Sequence, residues 1–136
     1  MIGLLVSVVA LSAVSVVVLL TVARYTDVER FASLGVLAFA GHVVFGTLVV
    51  PLLPYAWDIA KFHRRAVVLL EGGLPSPNST VNAFAALQSV VYAVTVPDPR
   101  VISVVNGLCA VLIAVPVAAL VRELYPDLHS TLGTVY

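Results

Sequence analysis

Three long apolar stretches set the pattern of this chain. Residues 2–22 carry no charge, residues 31–53 have His42 as their only ionisable group, and residues 101–121 are interrupted only by Asn106 and Pro116. A hydrocarbon core about 30 Å thick is crossed by roughly 20 apolar helical residues, because lipid offers backbone amides no partners and a helix satisfies them internally. The pattern therefore predicts three transmembrane helices. The first stretch lacks a positive n-region and is about twice as long as the usual apolar run of a signal peptide, so it reads as a retained span.

Between the second and third spans the period changes. Over residues 57–71, placed at the helical repeat, Ile59, Phe62, Ala66, Leu69 and Leu70 gather on one side, and Asp58, Lys61, Arg64, Arg65 and Glu71 on the other. This predicts an amphipathic interfacial helix with its apolar side in the headgroup boundary and Tyr55 and Trp57 in the aromatic belt of the preceding span. Residues 81–96 are apolar but too short to cross, carry Asn82 and Gln88, and stop at Pro97-Asp98-Pro99, which predicts a short re-entrant or interfacial helix. ARYTDVER, Ala23 to Arg30, reads as a tight polar turn, and GGLPSPNST, Gly72 to Thr80, as a loop that no helix continues through. The expected fold is an all-α integral membrane unit, a single domain over residues 1–136, multi-pass in the cell membrane.

Composition agrees with the pattern: 61% of the 136 residues are hydrophobic and 10% charged, far from a soluble domain. The net charge of zero marks no nucleic-acid partner. The single cysteine, Cys109, excludes an intrachain disulfide or a cysteine-based metal site.

Candidate chemistry concentrates on the amphipathic segment. A carboxylate (Asp58), an imidazole (His63) and three cations (Lys61, Arg64, Arg65) within eight positions could bind a phosphate-linked lipid and activate a hydroxyl. The competing reading is plain: such a helix often only lies flat, with Asp58 facing the helix dipole and the cations meeting lipid phosphates.

The order of features resembles a known family. A span with an aromatic exit, an acid just beyond it, an interfacial helix ending in Gly, a shorter apolar helix, then FAALQSVVYAVTVPDPRVISVVNGLCAVLIAVPVAALVRELYP, is similar to the N-terminal part of membrane glycosyltransferases of the GT-C fold. The likeness is to the polyprenyl- or dolichyl-phosphate-sugar dependent group related to protein O-mannosyltransferases, and it extends over residues 31–126. It implies that Asp58 is the loop acid that positions or deprotonates the acceptor, with His63 beside it. Lys61, Arg64, Arg65 and Arg100 are the candidate contacts to a lipid-linked phosphate, and a divalent metal ion with Asp58 as ligand would help to hold the donor. Ile59 stands where many members carry a second acid, and Phe62 and His63 stand near the position of a family Tyr. The family's proteins are several times longer, so the resemblance implies a truncated relative that needs a missing C-terminal portion or another membrane subunit. The reading from a different class is a non-catalytic small membrane subunit or scaffold packed against a larger partner. A transporter or channel ranks third, since no span carries repeated charged or polar residues.

The resemblance puts residues 54–100 on the exoplasmic face. Asn78-Ser79-Thr80, a glycosylation acceptor pattern, favours the same side, whereas four cations in that loop (Lys61, Arg64, Arg65, Arg100) against Arg24, Arg30 and Arg122 on the other side lean weakly the opposite way. His42 and Asn106 read first as interhelical hydrogen-bonding groups and Pro116 as a kink. Ala110, Ala114 and Ala118 form a smooth face for close helix packing.

Overall fold

The computed structural model describes residues 2–26, 28, 30–53, 57–74 and 79–125. Five helices follow one another: α1 (Ile2–Tyr25), α2 (Phe31–Val44, continued by turns of altered winding to Leu52), α3 (Trp57–Leu70), α4 (Ser79–Val94) and α5 (Pro99–Leu124). No strand occurs among the described residues. Three of these helical stretches, Ile2–Tyr25, Phe31–Leu52 and Pro99–Leu124, are long and apolar enough to cross a membrane. They coincide with the three apolar stretches, and by length and composition they give the chain the make-up of a membrane protein.

The last turns of α2 follow from Pro51. Proline lacks an N–H and its ring crowds the carbonyl four residues earlier, so a regular helix cannot run up to it. The winding widens to a π-turn over Phe45–Val49 and then tightens to a 3₁₀ turn over Val50–Leu52. Here α2 lies tight against α5: a methyl group at Gly46 would overlap the Ser103 side chain. By contrast α5 runs through Pro116 as one helix.

α5 packs along both α1 and α2, and a core of Leu19, Phe31, Phe39, Val104 and Val111 joins the three. α3 and α4 form an antiparallel hairpin with the most extensive helix pairing in the fold. The end of α3 is built for that reversal. Gly72 takes a left-handed φ of 79°, its N–H bonds the Leu69 carbonyl at 3.2 Å, and the Gly73 N–H bonds the Val68 carbonyl at 2.8 Å; this is the Schellman arrangement that stops a helix at glycine.

Part of the apolar side of α3 is covered within the chain: Ala66 is fully buried and Phe62 meets Phe84 of α4 edge to face with ring centroids 4.9 Å apart, while Ile59 and Leu70 are each 39% exposed. α4 covers that side because Ala85, Gln88 and Tyr92, spaced three and four apart, present one buried face to it. A second cluster, Ala66, Ala85, Tyr92, Val101 and Ile102, ties the hairpin to the start of α5, with Leu4 and Val8 of α1 packed against it. The hairpin therefore caps the end of the bundle where α1 begins, α2 ends and α5 begins.

Candidate functional site

The first turns of α5 position the site. Asp98, with extended backbone, is the N-cap: its Oδ1 accepts the Arg100 backbone N–H at 2.9 Å, and Pro99 occupies the first turn, where a missing N–H costs nothing. The same carboxylate grips the Arg100 guanidinium through Nε–H to Oδ1 at 2.9 Å and Nη2–H to Oδ2 at 2.7 Å. These bonds hold the Asp98 carboxyl below its usual range. They engage one edge of the guanidinium fork, and the Nη1 donors are not part of this pair.

His63 faces this pair from α3. Its Nδ1 lies 2.9 Å from the Tyr92 hydroxyl of α4. Tyr92 is buried, and burial, followed by the nearby Asp98 charge, pushes its phenol from 10.0 up to about 12. The phenol thus keeps its proton near neutrality and can donate it to His63 Nδ1 in the tautomer that carries the ring proton on Nε2.

A cavity of about 500 Å³ lined by Gly3, Leu4, Val96, Pro97, Asp98 and Arg100 borders these groups, and two more are lined by α3. The larger of these two, about 420 Å³, is lined by His63, Asp98, Arg100 and Ser103, with Gly46, Val50, Pro51, Ile59, Ala60 and Pro99 as apolar walls. The smaller, about 150 Å³, is lined by Asp58, Gln88, Ser103 and Asn106 among Ile59, Phe62, Phe84, Pro99 and Ile102. Ile59, Pro99 and Ser103 belong to both linings, so the cavities adjoin.

The expected cluster is therefore divided. Asp58, exposed in the first turn of α3, belongs to the smaller cavity, whereas His63 and Arg100 belong to the larger. Lys61 and Arg64 are exposed and Arg65 is half-buried, and none of the three lines either cavity. Asn78 lies outside the described residues. Among the described residues no three His, Cys, Asp or Glu side chains gather to hold a metal, and Asp58 is the sole carboxylate of its cavity. Those residues do not by themselves fit a divalent ion.

His42 and Asn106 depart from expectation, since both are exposed and neither side chain makes a hydrogen bond to another described residue. The His42 ring rests instead against Gly107 of α5. Three residues of the site escape a reading of the sequence as expected chemistry: Asp98, Tyr92 and Gln88. For Asp98 a signal existed, because an Asp directly before Pro at a helix start is a capping pattern. Tyr92 and Gln88 gave none beyond interrupting an apolar run, since only the hairpin pairing reveals what they face. Comparison with known protein families, with curated proteins and with solved structures finds no match for this chain.

Proposed function

We propose that this chain is the N-terminal membrane portion of a glycosyltransferase-like protein that takes its sugar from a polyprenyl-phosphate donor on the exoplasmic side. The larger of the two α3 cavities carries the reading. Arg100 and His63 stand among apolar walls supplied by the end of α2 and by α3, and a prenyl phosphate needs that combination: charge-assisted donors for the phosphate and apolar surface for the chain. The Nη1 donors of Arg100, beyond the edge that Asp98 uses, are available to a phosphate oxygen.

In this reading the acceptor hydroxyl enters the adjoining cavity beside Asp58. Its oxygen bonds to the anomeric carbon, its proton passes to the Asp58 carboxylate, and the bond from that carbon to the phosphate oxygen breaks. The lipid phosphate leaves with the electron pair. Lys61 and Arg64, on the exposed face of α3, meet phosphates at the lipid surface. Further donor-binding groups come from a C-terminal portion or another subunit, so this chain alone is not expected to transfer sugar.

The test is binding of a fluorescent polyprenyl phosphate to the chain in lipid nanodiscs. Arg100→Gln should weaken it about tenfold, the loss of one charge-assisted contact. Asp58→Asn should leave binding intact and abolish transfer in the full assembly. Equal binding by wild type, Arg100→Gln and His63→Ala would end the proposal.

One observation favours the second reading, a non-catalytic subunit. A groove of about 390 Å³ between α2 and α5 sets the exposed His42 among Gly35, Ala38, Gly107 and Ala110, a surface of small residues that lets another helix approach closely. That reading predicts a co-purifying membrane partner lost on Ala110→Leu, together with no affinity for prenyl phosphate.

A further inference from the structure

We infer that the smaller cavity is a binding site for a neutral, hydroxyl-bearing group the size of one sugar ring or small polyol, and that Gln88 is the residue that reads it. The inference deepens the proposed function by naming what meets Asp58, and to that extent it rests on that reading.

Gln88 carries the argument. Its side chain is 3% exposed, it lines the cavity, and its Oε1 is buried with no hydrogen-bond partner. Proteins keep few such acceptors, because a buried carbonyl without a donor loses its water and gains nothing in return. On α4 it stands between Ala85 and Tyr92, on the buried face of the helix, so an apolar residue of similar size would serve the packing better. A glutamine held there at a cost, beside an open space, indicates a donor that arrives from outside the chain.

The rest of the lining defines that donor. Asp58 only accepts when ionised, Asn106 offers both a carbonyl and an NH₂, and Ser103 offers a hydroxyl that gives and receives. The Asn106 side chain makes no hydrogen bond to another described residue. A mixed set of donors and acceptors suits hydroxyl groups, which also do both. An ammonium would use the acceptors only and would have to shed its hydration against the buried Gln88. An anion would meet Asp58 and the unpaired carbonyl, both of which repel it. The Phe62–Phe84 pair gives the cavity an apolar wall, against which the carbon face of a ring can lie. At about 150 Å³ the space is equivalent to roughly five waters at about 30 Å³ each, on the scale of a single ring.

The experiment uses methyl α-mannopyranoside, which is neutral and carries no phosphate, with the full chain in nanodiscs. Wild type should bind it, and Gln88→Leu should weaken binding about tenfold, the worth of one hydrogen bond. Gln88→Leu should also raise the thermal midpoint, because it removes the orphan carbonyl while keeping the packing. Asn106→Leu, a change at an exposed position, should lower the affinity without disturbing the fold and decides the matter should Gln88→Leu not assemble. Arg100→Gln should leave glycoside binding unchanged while weakening polyprenyl phosphate, so that this inference and the proposed function fail separately. Three results would each overturn the site: no glycoside binding, wild-type affinity in both cavity variants, or a lower midpoint in Gln88→Leu, which would show the amide to be satisfied already. Binding of ethanolamine through Asp58 in place of the glycoside would overturn it as well.

Discussion

The three-helix bundle and the α3–α4 hairpin use apolar side chains in opposite ways. In the spans the apolar residues point mostly outward: only Ser15 and Leu19 are buried along the whole of α1, and Leu5, Val9 and Val17 are each more than half exposed. Such helices are apolar on all sides and need lipid to complete their burial. The hairpin is closed upon itself. Its seam holds Ala66, Ala85, Gln88 and Tyr92, small or polar residues that let the two helices approach, while its free faces differ. α3 shows Asp58, Lys61 and Arg64, whereas α4 shows Leu87, Val90 and Val94. The contrast explains why polar chemistry gathers at one end of the molecule. Where the hairpin meets the first turns of α5, Tyr92 pairs with His63 across the hairpin and Asp98 holds Arg100, so the spans act as scaffold and the junction as site.

If the junction depends on the closeness of α2 and α5, Gly46→Val should do the greatest damage. The added side chain overlaps Ser103, and forcing the two helices apart should cost about 3 kcal/mol. It would also deform the cavity of His63 and Arg100, whose lining includes both positions. Thermal unfolding in micelles measures the loss, and an unchanged midpoint would remove the close approach on which the scaffold argument stands. Ala85→Leu comes next, at about 2 kcal/mol, because it overfills the hairpin seam at a fully buried position. Its effect should be local: hydrogen exchange should quicken over residues 57–94 and stay unchanged in the spans. Uniform quickening would show that hairpin and bundle unfold as one unit, and the comparison would fail.

Much of this architecture was legible in the sequence. The spans were, since a run of some 20 apolar residues has few other uses. The amphipathic period of 57–71 gave α3, and the double glycine gave its end. What covers the apolar side of α3 was not legible, because lipid and a neighbouring helix select the same residues there. The same ambiguity hid the site. Asp58 and His63 are five residues apart and look like one group along the chain, yet the helix turns them toward different cavities. Gln88 and Tyr92 matter through partners 26 or more positions away in Phe62 and His63, and no local pattern records that.

A smaller effect tests the cap at the junction. Asp98→Ala removes the acceptor of the Arg100 N–H and one half of an ion pair whose Arg100 side chain is 42% exposed. Exposure and salt weaken the pair itself, so the loss at neutral pH should be about 1 kcal/mol, chiefly the cap. The sign with pH is fixed. Hydrogen bonding by Arg100 lowers the Asp98 value from 3.8, so its contribution is complete above that ordinary value and is lost as pH falls through the lowered one. Wild type and variant should therefore converge in strong acid. A constant gap down to low pH would mean that the carboxylate charge plays no part.

Tyr92→Phe should produce the smallest change, and it separates the seam from the site most cleanly. The ring and its packing remain, and only the hydroxyl 2.9 Å from His63 Nδ1 is lost. Near neutrality this should cost about 0.5–1 kcal/mol, the net worth of one hydrogen bond. In alkali the two proteins should diverge in a defined direction. Burial holds the Tyr92 phenol protonated up to about 12, against 10.0 in the unfolded chain. Its contribution is thus complete below 10 and is lost as pH rises through 12. Stability of the wild type should fall more steeply than that of Tyr92→Phe across that window, because only the wild type gains an ionisable phenol on unfolding at this position. Parallel curves would show that water reaches the Tyr92 hydroxyl in the folded hairpin. The seam would then be open where the comparison requires it to be closed, and His63 would owe its orientation to something other than α4.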